Sequence, residues 1–400
     1  PLRLVGSEMC IRDRRQIVHD ELAEIVGKYG DERRTEIIPA TGDVTDEDLI
    51  ARENVVVTIT STGYAKRTKV DSYKAQKRGG KGVRGAELKQ DDIVKNFFVC
   101  STHDWILFFT NFGRVYRLKA YELPEGGRAA RGQHVANLLE FQPEEKIAQV
   151  IQIQSYEDAP YLVLATQQGR VKKSRLTDYE SARSAGLIAI NLNEGDALIG
   201  AQLVSEGDDI LLTSEQGQAI RFTADDDQLR PMGRATAGVK GMRFRGDDQL
   251  LSMSVVHDGE FLLVATSGGY GKRTAIEEYT PQGRGGLGVM TFKYTPKRGK
   301  LIGAISVDED DEIFAITSAG GVIRTEVDQI RPSSRATMGV RLVNLADDVE
   351  LLAIDRNVEE DGEEDAQAVA KGEKTVDEVQ QERKAGDASK DCLLYTSDAA

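Results

Sequence analysis

At 400 residues, 40% hydrophobic and 30% charged, the chain is long enough for two or three domains or for one large repeat architecture. No run approaches the roughly 18 apolar residues of a membrane span. No segment has the layout of a secretory signal, and three cysteines exclude a disulfide framework. A cytoplasmic protein is the expectation, and 39 glycines against nine prolines favour a turn-rich β fold. The net charge of -14 is unevenly placed. Twelve acids and five bases lie between Glu359 and Asp391, whereas Gly63–Arg84 holds eight bases against Asp71 alone. A local field of that sign attracts polyanions whatever the overall charge.

In chain order, residues 1–14 and 392–400 do not continue the patterns beside them and are read as non-native flanks. Cys100 is then the one native cysteine, and metal or redox chemistry built on cysteine clusters is excluded. Val18, Leu22, Ile25 and Tyr29 share one stripe of a helix predicted over 16–30, with Gly30 as its stop. Pro39 and Gly42 interrupt structure, and Thr45 with Asp48 has the spacing of a capping box for a short helical turn. Residues 15–50 therefore read as a helix end and linker.

From Val55 the chain repeats itself. A first marker, Thr or Ser, two residues, Gly, three residues, then Lys or Arg, occurs at Thr60–Gly63–Arg67, Thr110–Gly113–Arg117 and Thr166–Gly169–Lys173. It returns at Ser214–Gly217–Arg221, Thr266–Gly269–Arg273 and Thr317–Gly320–Arg324. Each copy follows a short run of β-branched and large apolar residues, which favours a strand. A three-residue loop ending in Gly suits a hairpin whose last loop residue is left-handed. A second marker, Arg, three residues, Gly, follows at Arg78–Gly82, Arg128–Gly132, Arg234–Gly238, Arg284–Gly288 and Arg335–Gly339, with a shortened copy at Arg183–Gly186. Consecutive first-marker glycines are separated by 48 to 56 residues. That period, at about four strands per unit, is propeller-like. One unit cannot bury both faces of its sheet, and stacking around an axis does so. The expectation is an all-β, six-bladed ring over 51–357, with an acidic, disordered tail over 358–391. Repeats of the chromatin-regulator type are the structural competitor.

The first repeat differs at its second marker, Gln76-Lys77-Arg78-Gly79-Gly80-Lys81-Gly82. Glycines let backbone amides approach a phosphate and the bases add charge-assisted contacts. With no aromatic among the seven, sequence-independent phosphate contact is favoured over base readout. The bland alternative is a solvated basic loop. The first-marker bases Arg67, Arg117, Lys173, Arg221, Arg273 and Arg324, with Lys66, Lys172 and Lys272 beside them, recur once per unit or nearly so. Together with Arg128 and Arg131 they make a basic track the expectation. Acidic runs such as Asp225–Asp227 and Glu309–Glu312 read as solvated turns rather than metal sites, and His134 is a candidate phosphate contact.

The seven residues 76–82 resemble the box motif of the DNA gyrase A family, with Lys77 where Arg is common. The resemblance runs from about Arg15 to Asn357 and includes DERRTEI at 31–37 and GYGKRTAIEEY at 269–279. It implies a β-pinwheel whose adjacent blades exchange strands, and residues 16–30 as the end of a coiled-coil arm. It implies double-stranded DNA as partner, wrapped around the basic rim so that an ATP-dependent type II topoisomerase introduces negative supercoils. It also implies what this stretch lacks. The family's cleaving tyrosine follows an arginine, and no Arg-Tyr pair occurs here. ATP and magnesium belong to the partner protein, gyrase B, so no catalytic residue, cofactor or metal is expected in this chain. The alternatives are the equivalent domain of topoisomerase IV and a propeller that scaffolds protein interactions.

Overall fold

The computed structural model describes residues 3–31, 46–73, 93–181, 185–319, 322–346 and 349–386. Two compact units are separated near residue 51. In the first, a helix α1 (Arg3–Tyr29) begins well before the predicted start, and a 3-10 turn spans Asp46–Leu49. Along α1, Val18, Leu22, Ile25 and Tyr29 are all exposed. The predicted cap Thr45 and the DERRTEI segment beyond Asp31 lie outside the described residues. Among the described residues, no helix is long and apolar enough to cross a membrane.

Among the described residues, the second unit holds six sheets, five of four strands and a last one of three. Each begins with a hairpin built on the first marker. In blade 1, Asn54–Thr60 pairs with Tyr64–Lys69, and Gly63 N–H donates to the Thr60 carbonyl at 3.0 Å. The Thr60 hydroxyl accepts from Tyr64 N–H at 3.2 Å, which explains why the marker opens with Thr or Ser. Gly63 sits at φ 87°, the left-handed loop end that the spacing predicts. The third strand of each blade pairs with the first, and every such pairing slips register at the marker Thr or Ser.

The fourth strand comes from the next repeat. Gln133–His134, directly after Gly132 of the second marker, pairs with Tyr64–Ala65 of blade 1. Leu187–Ile188, Val239–Lys240, Val289–Met290 and Val340–Arg341 complete blades 2 to 5 in the same way. The strand exchange of a pinwheel is therefore present, and among the described residues blade 6 has three strands. Third strands of all six blades line one central cavity of about 540 Å³, so the exchanged strands form the outer rim.

Neighbouring sheets bury their facing sides in separate apolar clusters. Val55, Val57 and Ile59 meet Ile106, Phe108 and Tyr116 between blades 1 and 2, and Leu107 and Phe109 meet Leu162 and Leu164 between blades 2 and 3. Full burial of each such side chain contributes roughly 1.5–3 kcal/mol relative to exposure.

The acidic tail departs from expectation. It folds as two helices, α2 (Val358–Lys371) and α3 (Val376–Gly386). Ala366, Val369, Val376 and Val379 form one apolar face against Val56, Val94, Phe97 and Val99 of blade 1. Thr375 and Glu378 form a reciprocal capping box, with Thr375 N–H donating to the Glu378 carboxylate at 2.7 Å and Glu378 N–H to the Thr375 hydroxyl at 3.2 Å. Gln380 then donates to the Val99 carbonyl at 3.2 Å and to the Asp104 carboxylate at 2.9 Å. The tail is ordered because it buries an apolar stripe that its charge total conceals.

Two substitutions test this architecture. Gly238 is left-handed at φ 70°, and a Cβ there would press into the Val171 carbonyl. Gly238→Ala should cost more than about 1 kcal/mol in urea unfolding. Val379→Asp places a charge in the tail interface and should release α3, read as loss of amide protection over 376–386 with the blades unaffected.

Candidate nucleic-acid interface

The second strand of each hairpin carries the predicted basic track, and most of that track faces inward. Lys66, Lys172, Lys173, Lys272, Arg221 and Arg273 are buried. Where both faces of a sheet pack against neighbours, as in blades 2 to 5, a side chain on either face enters the interior, whereas the second strand of blade 6 stays largely exposed. Five of the six first-marker bases reach toward the following repeat. Arg67 donates to the Leu123 carbonyl at 2.9 Å and pairs with Glu125 at 3.4 Å. Arg117, partly buried, lies over the Trp105 ring at 4.1 Å and reaches the Tyr156 hydroxyl at 3.2 Å. Lys173 meets the Ala224 carbonyl at 2.7 Å and Asp226 at 3.2 Å. Arg221 bridges Asp209 at 2.7 Å and Asp258 at 3.0 Å, and Arg273 pairs with Glu309 at 2.9 Å. Arg324, more exposed, pairs with Glu312. Apart from Arg324, whose partner lies on its own hairpin, these positions form inter-blade ties rather than a phosphate track. Asp226 and Glu309 are exposed turn residues, as the sequence reading has them, and each also accepts from a buried cation.

Lys66, Lys172 and Lys272 lie one position earlier and point at the second-marker loops. Lys272 donates to the Ser334 and Arg335 carbonyls at 2.7 and 2.6 Å, and Lys172 to those of Ala189 and Arg234. Burial pushes the Lys172 ammonium down to about 7, with the Arg234 guanidinium adding to the shift. Burial likewise lowers Lys272 to about 8.

The bases left for solvent lie on the rim, on the exchanged strands and the loops around them. In blade 1, the Arg131 guanidinium stacks on the Tyr64 ring at 3.7 Å, with His134 edge-on to Tyr64 at 5.4 Å. Arg128 and Arg131 are partly exposed, so these two predicted residues do reach the outer surface. The His134 imidazole accepts from Ala136 N–H at 3.1 Å. Blade 5 repeats the arrangement at the equivalent tyrosine. Arg298 lies 4.4 Å from the centre of the Tyr270 ring, and Arg341 donates to the Tyr270 hydroxyl at 3.1 Å. That hydrogen bond and charge, with Arg298 and Lys297 near, hold the Tyr270 hydroxyl below its ordinary pKa. Lys240, Arg243, Arg245, Lys293 and Lys297 are exposed on the same outer edge.

Sequence reasoning missed these rim bases because it followed the first marker. The signal was available in the second, since each rim base stands within eight residues of an exchanged strand. A further signal is Gln282-Gly283-Arg284-Gly285-Gly286-Leu287-Gly288, which repeats the Gln76–Gly82 pattern with Gly and Leu in place of the two lysines. Gln76, Lys77, Arg78, Gly79, Gly80, Lys81 and Gly82 lie outside the described residues. In the later copy, Gln282 N–H donates to the Arg221 carbonyl at 2.8 Å and Gly285 N–H to Gly241 at 2.6 Å. Arg284 donates to the Gln228 carbonyl, which pins the loop across the blade 3–4 boundary. Among the described residues, no cluster of three His, Cys, Asp or Glu side chains could hold a metal ion.

The family model of the DNA gyrase C-terminal domain, beta-propeller, matches residues 54–101, 104–154, 160–205, 208–257, 260–308 and 311–357. These are the six blades, one match to each. The DNA gyrase A protein of Mycolicibacterium smegmatis is 69% identical over 347 residues, covering 87% of this chain. That of Streptomyces coelicolor is 61% identical over 350 residues, covering 86%. The chain spans 41% of the length of each of these relatives. Among solved structures, the C-terminal domain of DNA topoisomerase IV superposes with a TM-score of 0.72 at 28% identity, over 81% of this chain and 99% of that one. A DNA gyrase A C-terminal domain superposes with a TM-score of 0.59 at 28% identity, over 76% of this chain and 100% of that one. With a family match on every blade and a strand-exchanged ring to carry it, the chain belongs to the DNA gyrase C-terminal beta-propeller family.

Proposed function

We propose that this ring is the part of a type II topoisomerase that binds duplex DNA and bends it around the outer rim. The observation that carries the reading is the sorting of cations. Those facing inward are tied to carbonyls and carboxylates, whereas the exchanged strands and their loops set Arg131, Lys240, Arg243, Arg245, Lys297 and Arg341 on one outer edge. An outer set of bases with few base-reading groups suits backbone phosphate contact and shape-dependent binding. Bending 20–30 base pairs by 40–90° costs on the order of 1–6 kcal/mol, so several blades must hold the duplex together. The box at 76–82 belongs to the entering repeat and supplies a further phosphate loop. Within the whole enzyme, strand cleavage lies upstream of this chain. ATP hydrolysis and magnesium lie with gyrase B, in a cytoplasmic complex that introduces negative supercoils. The topoisomerase IV likeness favours a second reading, DNA binding without a full wrap, and the box pattern at 76–82 with six intact markers favours the first.

Salt dependence tests phosphate binding. Log affinity should fall linearly with log salt, and each rim contact removed should flatten the slope by about 0.9. Arg243→Gln with Arg245→Gln should show this by fluorescence anisotropy, and an affinity independent of salt would sink the reading.

Wrapping is tested on the box. Changing Lys77, Arg78 and Lys81 together to Ala in the whole enzyme should abolish negative supercoiling on relaxed plasmid while cleavage persists. Binding by the domain should weaken only modestly, because the other blades still hold the duplex. Supercoiling at the parent rate by the triple variant would make the box a solvated loop.

A further inference from the structure

The six equivalent positions three residues after the first-marker glycine alternate in kind around the ring. Blades 1, 3 and 5 have Lys66, Lys172 and Lys272, whereas blades 2, 4 and 6 have Tyr116, Ile220 and Ile323. The three lysines are among the largest fully or nearly fully buried side chains in the chain. Each reaches the same target, the carbonyl of the arginine that opens the next second-marker loop: Arg128, Arg234 or Arg335. Each also takes a second acceptor. Lys66 adds the Gly127 carbonyl at 3.2 Å, and Lys272 adds Ser334 at 2.7 Å and the Thr337 hydroxyl at 3.3 Å. Lys172 adds Ala189, which follows the exchanged strand Leu187–Ile188, so one ammonium joins two successive exchange segments.

A buried ammonium is costly unless several acceptors surround it. Carbonyl oxygens of a loop supply them only when the loop turns those oxygens inward, so the loop's path and the lysine's burial require each other. Backbone bonds register the same loops a second time. Arg67 N–H donates to Pro124 at 2.9 Å, Met232 N–H to Lys173 at 2.7 Å and Ser333 N–H to Arg273 at 2.9 Å. At the far end of each loop Gly132, Gly238 or Gly339 lies so close to the strand that a Cβ would strike its backbone. On the even blade 4, where Ile220 stands, the loop is held from its own side instead, by Arg284 on Gln228.

We propose that Lys66, Lys172 and Lys272 are positioning residues for the rim: each ammonium latches the arginine-bearing loop of the next repeat and so sets the rim's phosphate-facing surface on alternate blades. The functional half of this inference rests on the DNA-binding reading, and the structural half stands without it.

The test uses the 400-residue chain and its single variants Lys172→Met, Lys172→Gln, Lys272→Met and Lys272→Gln, with Ile220→Met as the even-blade control. Amide exchange of loops 233–238 and 334–339 should accelerate roughly tenfold on loss of the charged donor, while the hairpin strands keep their protection. Binding to a linear duplex should then lose about 0.9 or more from its salt slope, a change that loss of stability alone does not produce in the folded fraction. Gln keeps a neutral donor and should fall between Met and the parent, and Ile220→Met should alter neither readout. Unchanged loop protection in folded variants would overturn the latch. Protection lost equally through the whole blade in both Met and Gln variants would also overturn it, since the lysines would then serve the core alone. Loosened loops with an unchanged salt slope would overturn the positioning role. A parent chain with no salt-dependent affinity would instead count against the DNA reading, with the exchange result still deciding the latch.

Discussion

Two residues per blade, borrowed from the next repeat, are the constraint on which the rest of this fold depends. A blade made from its own repeat ends in the second hairpin strand, with an open row of backbone groups. The exchanged pair closes that edge, and its continuation donates back to the first-marker glycine. Val135 N–H reaches the Gly63 carbonyl at 2.9 Å, and Gly241 and Thr291 N–H do the same at Gly169 and Gly217, each at 2.8 Å. A turn glycine therefore serves two hairpins, its own and the one that follows. Open edges invite pairing with other chains, and here each edge is used to bind the neighbouring blade. Coupling of this kind makes the ring cooperative along the chain, as in other repeat arrays where a unit contacts only its neighbours.

The exchange also decides where charge can go. A sheet packed on both faces has no solvent side, so cations on its second strand must find partners inside. They find them in the turns that the exchange brings across. Arg221 lies between Asp209 and Asp258, and Arg273 takes Glu309 and the Ile330 carbonyl at 2.5 Å. Buried ion pairs contribute little net stability over apolar contacts of the same size, but removing one partner is costly. Their use here is registration: a blade that seats its neighbour wrongly leaves several charges unpaired at once.

Period, turn type and strand identity were legible because they depend on local chemistry. Thr-x-x-Gly closes a hairpin by its own hydroxyl and backbone, and six copies at near-constant spacing leave little room for another architecture. The side chains' destinations were not legible for a physical reason. Alternation separates inside from outside only when one face meets water, and the bulge at each marker Thr further shifts the count. Hence Lys66 and Ala65, adjacent in one strand, are both buried. The tail misled in the opposite direction. Its acids dominate any composition measure, yet Thr375-x-x-Glu378 and the apolar positions Val369, Val376 and Val379 were in plain view as a cap and a stripe. Charge described the exposed face of the tail, and the few apolar residues decided whether it folds.

That arrangement bears on how an acidic chain can present a basic rim. The bases of the described ring fall into two populations, and only the outer one is placed to meet a ligand. Inner bases are neutralised by acids of neighbouring turns, so acids such as Glu309 and Asp226 counter inner cations and leave the rim's field in place. The charges of Asp365, Glu373, Asp377 and Glu378 are likewise held near the third strand of blade 1, because α2 and α3 are docked by their apolar face. Net charge therefore says little about binding here. Potential at the surface depends on which charges share a desolvated contact and which face water, and screening over about 10 Å at 0.1 M salt limits each rim cluster to its own neighbourhood. A ring of short-range basic clusters, each set by the repeat that follows it, follows directly from the strand exchange.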